Sequence, residues 1–315
     1  MTDVNRYLQA ATRENTRISY RAAVEHFENQ WGGFLPATAD SVARYLVDHA
    51  NTLSVNTLRQ RLSGLAAWHI DQGFPDPTKA PHVKKVLKGI VELHPVVQKQ
   101  AKPIQLEQLT QLVNCFNRLI NNGSQPEILQ ATRDKALLLI GFWRAFRSDE
   151  LARLCVEHIQ ADAGKGMEFF VPRSKGDHSR LGRRYKAPAL KRLCPVEAYL
   201  DWVSAAQLKS GPVFRSINRW GHLSDEALHP ASIIGIIKRC SARAEVEEAH
   251  LLSSHSLRRG FATWANSQGW DTKSLMEYVG WKEVKSAMRY IDVADPFSEQ
   301  LRSDGRSRIP RSNDH

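Results

Sequence analysis

The sequence predicts a mainly α-helical protein of two domains, the second carrying one small β-hairpin. Three observations predict it. Apolar residues recur at the roughly 3.6-residue period of an α-helix in one stretch after another. Residues 166–188 break that habit with an aromatic run, a Lys/Gly/Asp turn and a second short run, which is hairpin chemistry. And 315 residues exceed one typical domain, while residues 94–104 hold two prolines, two lysines and no helical period, as a linker does.

Taken in order, residues 1–14 are polar and read as a flexible arm. Next, Tyr20, Val24, Phe27 and Trp31 fall on one helix face, which Gly32 and Gly33 end. A second helix sets Val42, Tyr45, Leu46 and His49 on one side. A third, from about Ser54, aligns Leu58, Leu62, Leu65 and His69 and closes at Gly73. His49 and His69 lie on apolar faces, so they are expected in the core or at its boundary rather than as ligands. After a Pro-rich turn a fourth helix begins near Pro81, with Val83, Val86, Leu87, Ile90 and Val91 on one face and Lys84, Lys85 and Lys88 on the other. Residues 15–93 thus form one helical module with a basic stripe, and residues 94–104 lead out of it.

Residues 105–292 form the second domain. Leu109, Leu112, Val113, Phe116 and Ile120 line its first helix, NNGSQP reads as a loop, and residues 130–146 are so apolar that they predict a buried helix. That helix runs up to Arg147, and a new one starts with Ser148 as the expected N-cap. Glu150, three residues on from Arg147, is placed to pair with it. After the hairpin come helices bearing Val196, Tyr199, Leu200 and Val203, then Ile233, Ile234 and Ile237 behind Pro230. His255 and Arg258 are one helical turn apart, with Leu257, Phe261 and Trp264 on the packed side. Asp271 caps a helix ended by Gly280, Trp281 follows, and a last helix bears Val284, Ala287, Met288 and Ile291 with Tyr290 beside the stripe. Residues 293–315 are a polar tail.

Lys plus Arg number 44 against 33 Asp plus Glu, a formal charge of +11 and a pI near 9.6. That balance favours a polyanion partner, because neutralising phosphates releases their counterions. Cys115, Cys155, Cys194 and Cys240 lie far apart with no zinc-ligand spacing, so reduced structural thiols are expected and no metal site. The opening MTDVNRYLQ is not signal-like, and the longest apolar run, residues 136–143, is too short to span a bilayer. A cytoplasmic, nucleoid-associated protein without membrane contact is expected.

The motifs then combine. Arg147-Ser-Asp-Glu150-Leu151, Lys175 in a hairpin, His255-x-Leu257-Arg258, Val279-Gly280-Trp281 and Tyr290 resemble, in order, the active-site signature of the tyrosine recombinases, the phage integrase family. The spacing agrees as well: 3 residues from His255 to Arg258, 23 more to Trp281 and 9 more to Tyr290. The resemblance covers nearly the whole chain. It implies a C-shaped two-domain clamp on double-stranded DNA carrying specific recombination sites. It also implies a homotetramer acting on two duplexes through a Holliday junction, monomeric when free, with no cofactor, and a tail that docks on a neighbouring protomer, with Phe297 and Leu301 as candidate anchors. Tyr290 would attack a backbone phosphate to give a 3′-phosphotyrosyl link. Arg147 and Arg258 would hold its non-bridging oxygens. Lys175 would protonate the leaving 5′-oxygen. His255 would donate to the phosphate or help take the tyrosine proton, and Glu150 would orient. Lys84, Lys85, Lys88, Arg59 and Arg173 are the candidate DNA contacts outside the catalytic set. Two positions depart from the commonest family pattern, which has histidine at Trp281 and often at Arg259. Indole donates a hydrogen bond but moves no proton. A type IB topoisomerase and a non-catalytic DNA binder with this fold are the alternatives.

Overall fold

The structure, a computed structural model, describes residues 6–7, 11–95, 101–172 and 182–288. The chain folds as two compact units, Met1–Lys99 and Gln100–His315.

From residue 11 to residue 95 the first unit forms the helices α1 (Glu14–Glu25), α2 (Ala39–Asp48), α3 (Val55–Asp71) and α4 (Pro81–Leu93). Thr38 and Ser54 cap α2 and α3 by accepting from the main-chain N–H three residues on. A single π-helical turn, His26–Gln30, extends α1 and shifts its face, so that Ala23, His26 and Phe27 are the residues it buries. Phe27 meets Val42, Tyr45 and Leu46 of α2, Leu58 and Leu65 of α3, and Val83 and Ile90 of α4 in one apolar core. His69 is buried in that core, as its apolar face predicts. Its Nε2 accepts from the Ala37 N–H at 2.8 Å, so the ring proton sits on Nδ1, which donates to Leu65 O at 2.7 Å.

In the second unit α5 (Leu106–Asn122) and α6 (Gln125–Trp143) pack against each other. α6 begins within the stretch expected to be loop. Ser124 and Glu127 make a reciprocal capping box and Pro126 occupies the first turn, so NNGSQP holds a helix start. α6 is the centre of the unit, buried from Ala131 onward apart from the half-buried Lys135. It stops at Trp143, short of the expected end. Ala145 takes a left-handed φ of 49°, a helix-ending conformation that usually falls to glycine. Arg147 is extended and is itself the N-cap of α7 (Ser148–Ala152), displacing Ser148 from that role.

Three strands follow, β1 (Ile159–Asp162), β2 (Gly166–Val171) and β3 (Arg183–Pro188), as an antiparallel meander. The expected hairpin is β2–β3, with Phe169 facing Tyr185; β1 is an added strand. Then come α8 (Pro195–Ala205), a small hairpin of β4 (Arg215–Ile217) and β5 (Leu223–Ala227), and α9 (Pro230–Arg243). α9 buries Ile233, Ile236 and Ile237, and leaves Ile234 at the surface. α10 (Ser254–Ser267), α11 (Thr272–Val279) and α12 (Val284–Met288) complete the described part. The four cysteines are free thiols. Among the described residues no helix is long and apolar enough to cross a membrane.

The entry into the second unit is strapped to α10. Lys102 pairs with Glu248, the Ile104 N–H donates to Ser256 O at 3.1 Å, and the Ile104 side chain is fully buried. Gly260 makes room for this strap. A Cβ there would land on the Ile104 carbonyl oxygen, with Phe142 Cε2 2.9 Å away. Gly→Ala inside a helix usually stabilises by about 1 kcal/mol. At Gly260 the sign should reverse. Gly260→Ala is expected to lower unfolding stability by about 1–3 kcal/mol through overpacking, read as a fall in the urea midpoint at constant slope.

Candidate active site

The site is assembled where three chain reversals meet: the break between α6 and α7, the start of α10, and the turn after α11. At the first, Arg147 and Glu150 lock each other. The main-chain N–H of Arg147 donates to Glu150 Oε2 at 2.8 Å and its Nη1 donates to Oε1 at 2.9 Å. Both carboxylate oxygens are engaged, and the Glu150 side chain is 3% exposed against 29% for Arg147. The expected pairing is therefore present, in a bidentate form that also caps α7.

Arg258 enters from α10 and lies on the other side of the same carboxylate, its Nη1 4.0 Å from Glu150 Oε2. It is 1% exposed. The expectation of an open His/Arg face opposite a packed one needs correcting here: His255 is at the surface while Arg258 is inside the core. What admits a cation there is local. Arg258 Nη1 donates to Ala145 O at 2.5 Å, a carbonyl turned inward by the left-handed residue, and the Trp281 ring covers the guanidinium at 5.1 Å. Glu150 is thus shared by two arginines that come from distant parts of the chain.

His255 sits in the first turn of α10. Ser253 caps that helix, its Oγ accepting from the His255 N–H at 3.2 Å while its own N–H donates to Ser256 Oγ at 2.8 Å. A fourteen-residue helix thus points its positive end at the site beside two guanidinium groups. An anion of phosphate geometry is what such a cluster binds best.

Trp281 follows Gly280, whose φ of 79° ends α11, as expected. The N–H groups of both residues return to Met276 O, at 2.8 and 2.9 Å. The indole is 6% exposed and packs on Arg258.

Two residues here lie outside the sequence motifs. Arg144 is buried and donates to Lys186 O at 3.0 Å and to Tyr278 O at 2.8 Å. The sequence signal, a second arginine in the apolar run FWRAFR, was present but absorbed by Arg147. Tyr185 on β3 is the other. Burial raises its phenol above the ordinary value, Glu150 adds to the shift, and Arg183, Arg144 and Arg258 oppose it.

Lys175, Arg173 and Tyr290 lie outside the described residues. Arg59 on α3 and Lys84, Lys85 and Lys88 on α4 are exposed in the first unit. Among the described residues no three His, Cys, Asp or Glu side chains are grouped to hold a metal ion.

Residues 104–296 match the phage integrase family. An integrase/recombinase xerD homolog from Selenomonas ruminantium is 31% identical over 303 residues, which is 93% of this chain and 86% of that protein. The tyrosine recombinase XerD of Rhizobium meliloti is 24% identical over 291 residues, 89% of this chain and 86% of that protein. Among solved structures, the Tn1549 transposon integrase in complex with transposon right end DNA superposes with a TM-score of 0.60, covering 94% of this chain and 95% of that one at 13% identity. XerH bound to palindromic difH substrate, in a post-cleavage complex, gives 0.56 over 84% of this chain and 69% of that one at 18% identity. At such identities the two structures speak to the fold alone. The sequence matches go further: this chain belongs to the phage integrase family, the tyrosine recombinases.

Proposed function

We propose that this site-specific DNA recombinase cleaves and rejoins strands through Tyr290 by way of a 3′-phosphotyrosyl intermediate. The observation that carries the reading is the pair of arginines, Arg147 and Arg258, converging on one buried carboxylate beside a helix N-terminus. A carboxylate held this way orients two guanidinium forks before any substrate arrives, which is the preorganisation that stabilises a charged transition state.

The Tyr290 oxygen forms a bond to the scissile phosphorus as the P–O5′ bond breaks. Lys175 gives a proton to the departing 5′-oxygen. Arg147 and Arg258 balance the charge on the non-bridging oxygens, and His255 donates to the same phosphate or helps take the phenol proton. Trp281 fixes the Arg258 guanidinium and, through its indole N–H, contacts a phosphate oxygen. Because the link conserves the energy of the broken bond, the 5′-hydroxyl reverses the step without ATP. Lys84, Lys85, Lys88, Arg59 and Arg173 grip the DNA backbone. Four protomers on two duplexes exchange strands through a Holliday junction, at the nucleoid.

The test is direct. Incubated in EDTA with a nicked duplex containing its recombination site, the protein is expected to give a covalent protein–DNA band on a denaturing gel, because phosphate charge is met by side-chain cations. No band on verified cognate DNA overturns the reading. A band that needs added divalent metal overturns the charge assignment.

A further inference from the structure

The last turn of α11 is held by arginines. Of its last four carbonyls, Met276 O takes the N–H groups of Gly280 and Trp281, Glu277 O takes Arg183 Nη2 at 3.1 Å, and Tyr278 O takes Arg144 Nη2 at 2.8 Å. Helix-end carbonyls are ordinarily left to water or a glycine motif, and a cation there also meets the negative end of the helix dipole. Arg144 does more than cap. Its other terminal nitrogen reaches Lys186 O on β3 at 3.0 Å, so one planar fork ties β3 to α11. Its guanidinium lies 3.9 Å from the Tyr278 ring centroid and 4.9 Å from that of Tyr185. The Tyr278 hydroxyl completes the loop by donating to Trp143 O at 2.8 Å.

Stability does not account for this residue. Arg144 is 2% exposed, and burial draws its pKa down. Among the described residues no carboxylate pairs with it, the groups that bear most on its charge being Tyr278, Tyr185 and Arg183, and its Nε has no hydrogen-bond partner. A buried cation in such surroundings is commonly no more stabilising than an apolar side chain of similar size. What an apolar side chain lacks is the fork.

The position of the fork shows what it controls. The turn that Arg144 holds leads through Gly280 to Trp281, whose ring covers Arg258. The residue after Arg144 is Ala145, whose carbonyl receives Arg258. A Cβ at Gly280 would stand 2.8 Å from Arg183 Nη1, so the turn is pressed against this layer of cations. We propose that Arg144 is a positioning residue for catalysis: by clamping the end of α11 to β3 it sets the Gly280–Trp281 turn, and through it the orientation of Arg258 at the scissile phosphate. This rests on the reading that Arg258 acts on that phosphate.

The experiment compares wild type with Arg144→Met in single-turnover formation of the covalent adduct at saturating protein. One substrate carries a native scissile phosphate and the other a methylphosphonate, which lacks one non-bridging charge. Arg144→Met is expected to stay folded and to keep its duplex affinity, and to cleave the native substrate about 10- to 100-fold more slowly, the usual consequence of misplacing a catalytic group by an ångström or less. On the methylphosphonate its deficit should shrink, because an arginine that neutralises the missing charge matters less there. Arg144→Lys keeps the charge but lacks the rigid planar fork, so it should show a smaller deficit of the same kind; it decides the matter alone if the Met variant does not fold. A wild-type rate in these variants, or an equal slowing on both substrates, overturns the proposal. If wild type itself forms no adduct, the failure lies with the phosphotyrosyl reading instead.

Discussion

Tyr290→Phe is expected to abolish the covalent protein–DNA band while leaving duplex affinity intact. Phe keeps the ring and removes only the oxygen that bonds to phosphorus. Loss of an activated nucleophile costs roughly a millionfold where it has been measured in other enzymes, which on a gel is no band. The described tyrosines near the site offer no substitute. The Tyr278 hydroxyl is committed to Trp143 O at 2.8 Å. Tyr185 is buried, with its phenol pushed above the ordinary range, so it is a poor source of phenolate. Affinity should hold because the substitution leaves every basic group proposed to grip the backbone in place. Denaturing gels for the adduct and native gels for binding measure the two separately. A covalent band that survives in Tyr290→Phe would falsify the assignment of the nucleophile.

Periodicity found the long helices because one face of each is buried along its whole length. The faces of α2 to α5 are the ones that Val42, Leu58, Val83 and Leu109 announce. It failed where local chemistry outweighs the period. The Ser-x-x-Glu box at Ser124 and Glu127 was legible, yet the Gly and Pro around it weighed towards a loop. The strands β1, β4 and β5 run for 4, 3 and 5 residues, too short for alternation to separate them from turns.

At the site, the motif residues could be named and the Arg147–Glu150 pair foreseen, since both are features of one short segment. The burial of Arg258 could not. Nothing along α10 separates it from a surface arginine. It is stabilised by Ala145 and Glu150, more than a hundred residues upstream in the chain. Ala145 itself was invisible, because an alanine gives no sign of a left-handed φ. Arg144 is hidden for a different reason: the nearby acid Glu150 is the partner that Arg147 claims, so the other arginine of the run has no evident role in the sequence.

Arg258→Lys keeps a positive charge at the site and is nonetheless expected to slow adduct formation by about 100- to 1000-fold, equivalent to losing one preorganised donor of about 3–4 kcal/mol. The reason is geometric. Arg258 is fixed by Ala145 O at 2.5 Å and overlaid by Trp281 at 5.1 Å, and it shares Glu150 with Arg147. A guanidinium can satisfy such a cradle and still offer a planar edge to a phosphate oxygen. An ammonium is one point of charge on a flexible stem, so it must choose between the cradle and the phosphate. Arg258→Ala should be worse in a different way. It leaves Glu150 buried with Arg147 as its remaining ion-pair partner, and removing one member of a buried charged cluster typically costs about 3–5 kcal/mol of stability. The two variants therefore separate rate from stability. Lysine should lower the single-turnover rate with a small change in the urea midpoint, and alanine should lower both. If Arg258→Lys cleaves within about tenfold of wild type, charge alone suffices at this position and the shared carboxylate is only a structural tie.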